Sequence, residues 1–160
     1  MLHSCDEAPK PAEKVYLDTL LYSLKGNEKA LSIDEQSLVK RKEIIRQYWL
    51  PSIQDTVPDI HMRIEDDLRG MLTAYDFYLN NYLLFQSSTK LLMQECSDFK
   101  RATDANEINR SEFKEKYHKL ETKIERNTDE IEVIAKPVYD LEPMWLRYEQ
   151  MMRMRGIRTE

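Results

Sequence analysis

Glycine is almost missing: the chain has three in 160 residues, Gly26, Gly70 and Gly156. That leaves little room for the tight turns of an all-β fold or the glycine loop of a dinucleotide-binding domain. Cysteine is scarcer still. Cys5 and Cys96 cannot form a disulfide framework, and Cys96 falls on an apolar helix position, where it reads as a small core residue of a protein in a reducing compartment. His3 with Cys5 is too sparse for a zinc site. The longest uncharged stretch, Phe77 to Thr89, is 13 residues and includes Asn80, Asn81, Gln86, Ser87 and Ser88. A membrane span needs about 20 apolar residues, so this stretch reads as buried protein. Positive charge is not in excess either: the formal net charge is −5 with both signs interspersed, which disfavours nucleic acid as a partner. The N-terminus lacks the basic-then-apolar order of a secretory signal, and Leu2 excludes myristoylation, so the expected location is cytoplasmic. The sequon Asn109-Arg110-Ser111 then has no consequence.

What the chain does have is helical periodicity. From Ile64 to Phe99 apolar residues recur in alternating steps of four and three: Ile64, Leu68, Met71, Tyr75, Tyr78, Tyr82, Phe85, Thr89, Leu92, Cys96 and Phe99. Only Thr89 breaks the pattern. Such spacing is the seam of a long helix packing lengthwise on another. A second seam follows about a dozen residues later: Phe113, Tyr117, Leu120, Ile124, Asn127, Ile131, Ile134, Val138, Leu141, Trp145, Tyr148 and Met152. The two seams predict an all-α protein built on a long antiparallel helical hairpin, a coiled-coil-like rod with arms of roughly 60 Å. The hairpin is expected over 58–156 with its tip at about 102–111, after a loose tail at 1–10 and short helices with a linker at 11–57, the whole forming a single domain.

Counting back from a Phe99–Phe113 apposition places Asn127 about one turn from Thr89. A polar layer in an apolar seam fixes register at some cost in stability, so Thr89 and Asn127 are candidate register residues. Two solvated seam positions would explain the pattern equally well.

Pro11 suits the first turn of a short helix that presents Val15, Leu17, Leu20, Leu21 and Leu24 and is expected to stop at Gly26. Ser32 and Glu35 have the spacing of a capping box opening a second helix, expected to be interrupted before Pro51. Ile53 and Val57 read as local anchors between Pro51 and Pro58. The cluster Lys40-Arg41-Lys42 reads as a solvated face. The long arm starts near Pro58 and continues through Gly70, where either a neighbour approaches closely or the helix bends. At the tip, helix restart is open to capping by Asp104, Asn106 or Ser111. Pro137 and Pro143 predict a kinked or segmented return arm. Its exposed side carries pairs in the favourable order, Glu112 with Lys116, Glu115 with Lys119 and Glu132 with Lys136.

The first arm is more apolar than one helix contact needs. Leu72, Leu79, Phe77, Leu83, Leu84 and Leu91 lie off the seam, and the part not covered by the short helices is a candidate surface for partner chains. Met144, Trp145, Met151 and Met154 form a second candidate, because methionine with Trp and Arg is adaptable interface composition. Packing inside the chain is the competing explanation.

Glu115 and His118 have the Glu-x-x-His form of a di-iron helix, but no second such motif exists and both fall on the charged face. Glu65-Asp66-Asp67 is explained by a helix start. There is no Walker A loop, nucleophile elbow or zinc protease motif, so no cofactor, metal or catalytic residue is assigned. The expected function is that of a non-enzymatic scaffold subunit whose partners are other coiled-coil proteins. A peripheral membrane protein using the Met/Arg-rich C-terminal segment is the runner-up, though membrane contact is disfavoured.

The order of short amphipathic helices, the prolines Pro51 and Pro58, the long apolar arm, the polar tip and a return arm ending in Trp145-Leu146-Arg147-Tyr148-Glu149-Gln150 resembles the smallest shoulder subunit of dynactin. The resemblance implies a structural coiled-coil component of a cytoskeletal motor-activating complex, with no catalytic residues. Small subunits of kinetochore, augmin and lysosome-positioning complexes are similar in general pattern.

Overall fold

The structure, a computed structural model, describes residues 8–54 and 58–160, with the side chains of 58–60 left aside. Expectations resting on His3, Cys5 and Val57 lie outside the described residues. Among the described residues the regular structure is entirely helical, with no strand: α1 (Pro11–Ala30), α2 (Glu35–Ile44), a π-helical turn (Ile45–Trp49), α3 (Leu50–Ser52), α4 (Pro58–Asp104), α5 (Arg110–Asp140) and α6 (Glu142–Met154).

Local chemistry sets these boundaries and corrects several expected ones. Pro11 opens α1, where its missing N–H leaves nothing unpaired, and the Glu13 carboxylate accepts from the Lys10 amide at 2.8 Å. α1 does not stop at Gly26. It runs one turn further because Asn27 is buried and hydrogen-bonded, which outweighs the cost of about 1 kcal/mol for a helical glycine. Ser32 is not the cap of α2: its hydroxyl donates back to the Lys29 carbonyl at 2.6 Å, and Asp34 accepts from the Gln36 amide at 3.1 Å. Nor does helix end before Pro51. The wider π-turn at Ile45–Trp49 immediately precedes it, and the helix resumes through Pro51. A π-turn relieves the clash between a proline ring and the carbonyl four residues back, which explains why the two occur together.

α4 passes through Gly70, and a Cβ placed there would meet nothing within 4 Å, so no neighbour approaches closely. The helix closes with Asn106 at φ +54, while the Glu107 amide bonds the Ala102 carbonyl at 3.0 Å and the Asn106 amide bonds that of Thr103 at 3.1 Å. This is the left-handed C-terminal motif with Asn in the position Gly usually takes. The cap of α5 is none of the three expected residues. Asn109 fills it, its side chain accepting from the Glu112 amide at 2.9 Å while Glu112 accepts in return from the Asn109 amide at 3.4 Å. Pro137 stays inside α5, and the return arm breaks at Leu141 with Pro143 in the first turn of α6. Gly156, at φ +69, ends α6 with the same double hydrogen-bond pattern as Asn106, Ile157 to Met152 and Gly156 to Arg153.

Both seams are inward. Of the first, ten of eleven positions are buried and Phe85 is half-buried; of the second, ten of twelve are buried, with Tyr117 and Leu141 half-buried. The chain divides into two compact units, Met1–Ser32 with Leu84–Glu132 and Ile33–Leu83 with Val133–Glu160.

In the first unit, Leu17, Leu20 and Leu24 of α1 pack with Leu92, Cys96 and Phe99 of α4 and with Phe113, Leu120 and Ile124 of α5. Phe99 and Phe113 lie 5.3 Å apart, Glu95 and Lys123 pair at 2.7 Å, and Thr89 meets Asn127 at 3.0 Å. These pairs step down α4 as they step up α5. Arg110 binds Glu13 at 2.9 Å and holds its carboxyl below the usual range. Cys96 is fully buried, and burial pushes its thiol up to about 11. A thiol so placed is unreactive at neutral pH.

In the second unit, Trp49 is fully buried, stacked on Trp145 with ring centroids 4.5 Å apart, and its indole N–H donates to the Arg158 carbonyl at 3.0 Å. Tyr148 donates to Asp67 at 2.5 Å. Burial pushes the phenols of Tyr78 and Tyr148 up to about 12, and that of Tyr117 in the first unit likewise. A phenol whose folded value lies above the ordinary 10 leaves stability untouched below pH 10. It lowers stability as pH rises from 10 towards 12, because the unfolded chain then loses the proton first. Alkaline unfolding is therefore expected to begin above pH 10, with ionisation of Tyr78, Tyr117 and Tyr148, followed by their own ring resonances, rising together with loss of helical circular dichroism. Ionisation of these three near pH 10 with the helix intact would contradict it.

Candidate functional site

A buried polar layer lies in the first unit. Asn127, 2% exposed, accepts at one oxygen from the Thr89 hydroxyl and from the Asn27 amide, both at 3.0 Å. The Asn27 amide also donates to the Thr128 hydroxyl at 3.0 Å, and the Asn127 amide to the Ser88 hydroxyl at 3.4 Å. Three helices thus share one network. Thr89 and Asn127 meet directly, and Asn27 completes the layer. Asn27 continues the steps Leu17, Leu20, Leu24 by three, a signal hidden by placing the helix end at Gly26.

Arg41 is the second residue that pattern reading missed. It is half-buried, donates to both oxygens of Glu142 at 2.5 and 2.8 Å and lies 4.7 Å over the Trp145 ring. It holds the Glu142 carboxyl below the usual range. Lys42 pairs with Asp76, which also binds Arg46 at 3.1 Å. The solvated reading of this cluster is thereby corrected for Arg41 and Lys42. Arg41 follows Leu38 by three and precedes Ile45 by four, so its position on the inner face was present in the sequence.

The candidate partner surface separates into exposed and inward residues. Leu84 and Leu91 are 66% and 72% exposed, Leu83 59%, Phe77 46% and Met154 77%. Leu72, Leu79, Met144 and Met151 are half-buried. Trp145 is a correction: it is 4% exposed and occupied by Trp49 and Arg41, so it offers no surface to a partner.

Two grooves open on these faces. In the first unit a groove of about 640 Å³ runs between α4 and α5, lined by Phe99, Ala102, Ile108 and Leu120, with Glu95, Asp98, Lys116, Lys119 and Lys123 around it. In the second unit one of about 510 Å³ lies between α2 and α4, where Val39, Leu79, Tyr82 and Leu83 are flanked by Glu35, Lys40 and Glu43. Glu115 is tied to Lys119 at 2.6 Å, exposed His118 lies 3.6 Å from Glu121, and Glu65 binds His61 and Arg69. Among the described residues no three His, Cys, Asp or Glu side chains are grouped to hold a metal, and no helix is long and apolar enough to cross a membrane. No protein-family model, curated protein or solved structure matches the chain.

Proposed function

We propose that this chain is a non-enzymatic structural subunit of a multi-subunit assembly, a long antiparallel helical hairpin of coiled-coil type that recognises its partners by helix-on-helix packing. The observation carrying this reading is the pair Leu84 and Leu91, seven residues apart on α4 and each about two-thirds or more exposed. Leucines at heptad spacing left in water are the mark of a helix face awaiting a partner. A buried polar layer supports it, since such layers set register and helix number in assemblies of this type. The pattern of the chain favours a cytoskeletal, cytoplasmic assembly of the dynactin-shoulder kind.

Size-exclusion chromatography with light scattering on the purified chain tests the reading. Self-association, reversed by adding defined coiled-coil partners at fixed stoichiometry, is the expected result. A monomer that stays in solution at high concentration and retains no stoichiometric partner from its own cell extract would overturn it.

A further inference from the structure

The groove between α4 and α5 is placed where a further helix would sit. On α4, residues 84, 88, 91, 95, 98 and 102 follow steps of four and three, so they form one stripe along the helix. The exposed leucines Leu84 and Leu91 begin that stripe, and Ala102, beside the buried floor residues Phe99 and Leu120, ends it. No residue of α1 lines the groove, so the first unit's third helix leaves this face open. From residue 84 to 102 the stripe is about 27 Å long, the length of five helical turns.

Charge says what kind of helix fits. The α5 rim carries Lys116, Lys119 and Lys123, with Arg126 exposed beyond them. On the α4 rim the two acids are engaged already, Glu95 by Lys123 at 2.7 Å and Asp98 by Arg101 at 2.8 Å. Lys119 is held only by exposed Glu115, and Lys116 has no ion-pair partner among the described residues. Three lysines and two acids line the groove, so the charge left to be answered is positive.

We infer that this groove takes an amphipathic helix of a partner chain, about five turns long, whose apolar ridge seats on Leu84, Leu91 and Ala102 and whose acidic flank faces Lys116 and Lys119. This rests on the subunit reading and specifies the chemistry of one partner. A helix laid in an apolar groove is a recurring mode of recognition, its apolar residues giving affinity and its flanking charges orientation.

The test uses the full chain and two synthetic helical peptides of about 20 residues, each with Leu at the a and d positions. One carries Glu at e and g, the other Lys. Fluorescence anisotropy is expected to show the Glu peptide binding at least about tenfold more tightly than its Lys twin. The double variant Lys116→Glu, Lys119→Glu should reverse that order, and Leu91→Ser should weaken both. These are exposed positions, and circular dichroism of each variant checks that it is folded. Equal binding of the two peptides, binding unchanged in the variants, or no peptide binding would overturn the inference, as would occupancy by laurate alone, the mark of a small amphiphile site. A chain that assembles with its partners yet binds neither peptide loses this groove assignment and keeps the subunit reading. One that binds the Glu peptide but has no partners loses the subunit reading instead.

Discussion

Replacing Trp49 with alanine is expected to destabilise the protein by about 3–5 kcal/mol, the range for a buried tryptophan truncated to alanine. Trp49 is fully buried, so the whole indole volume becomes a cavity lined by a core that closes only in part. Three further losses accompany it: the stacking partner of Trp145, the donor to the Arg158 carbonyl, and the backing of the ring over which Arg41 lies. Domains are stable by only about 5–15 kcal/mol, so this one change removes a large share of the total. Urea titration followed by far-UV circular dichroism measures it without depending on the lost tryptophan signal. Trp49→Phe should cost clearly less, because a ring remains against Trp145 and the losses are the N–H donor and part of the indole volume. A loss below about 1 kcal/mol for the alanine variant would show that the stack does not anchor the second unit.

Most of what orders the two long helices could be read from the spacing of their apolar residues. Seams of alternating fours and threes demand burial along one stripe, and no described member of either is exposed. Boundaries were harder, because caps are decided by competing short-range bonds. Ser32, Asp34 and Asn109 are all chemically able to cap, and only the backbone shows that Ser32 turns back to Lys29. The π-turn before Pro51 shows the same limit: proline forbids the regular hydrogen bond, but whether the chain stops or widens depends on the packing of Trp49 and Ile45. Inward polar residues were hardest of all. Arg41 and Asn27 occupy seam positions, yet polarity argues for solvent until the partner that pays their desolvation is in view, Glu142 for one and Asn127 for the other. The same ambiguity left Trp145 both a seam residue and a candidate partner contact, since an interface and a core use the same residues.

Asn127→Leu is expected to destabilise the first unit by about 2–4 kcal/mol, although leucine is the more apolar residue. The reason is what it leaves behind. The Thr89 hydroxyl and one N–H of Asn27 both donate to the Asn127 oxygen, and a buried donor without an acceptor costs about 1–3 kcal/mol. Partial relief is built in: Asn27 keeps the Thr128 hydroxyl, and a threonine within a helix can turn its hydroxyl to the carbonyl four residues earlier. Removing the whole layer is a different experiment. The triple variant Asn27→Leu, Thr89→Val, Asn127→Leu strands none of these donors and should recover most of the loss, or exceed wild type, because a satisfied polar cluster and a well-packed apolar one are close in free energy. What it should lose is uniqueness. An apolar seam slides by a turn at little cost, whereas a three-helix hydrogen-bond layer admits one alignment. Denaturant titration measures the energies, and the count of amide resonances per residue measures the alignments. Single Asn127→Leu near neutral would show that the layer carries no stability. A triple variant with one sharp resonance set would show that packing alone fixes the register of α1, α4 and α5.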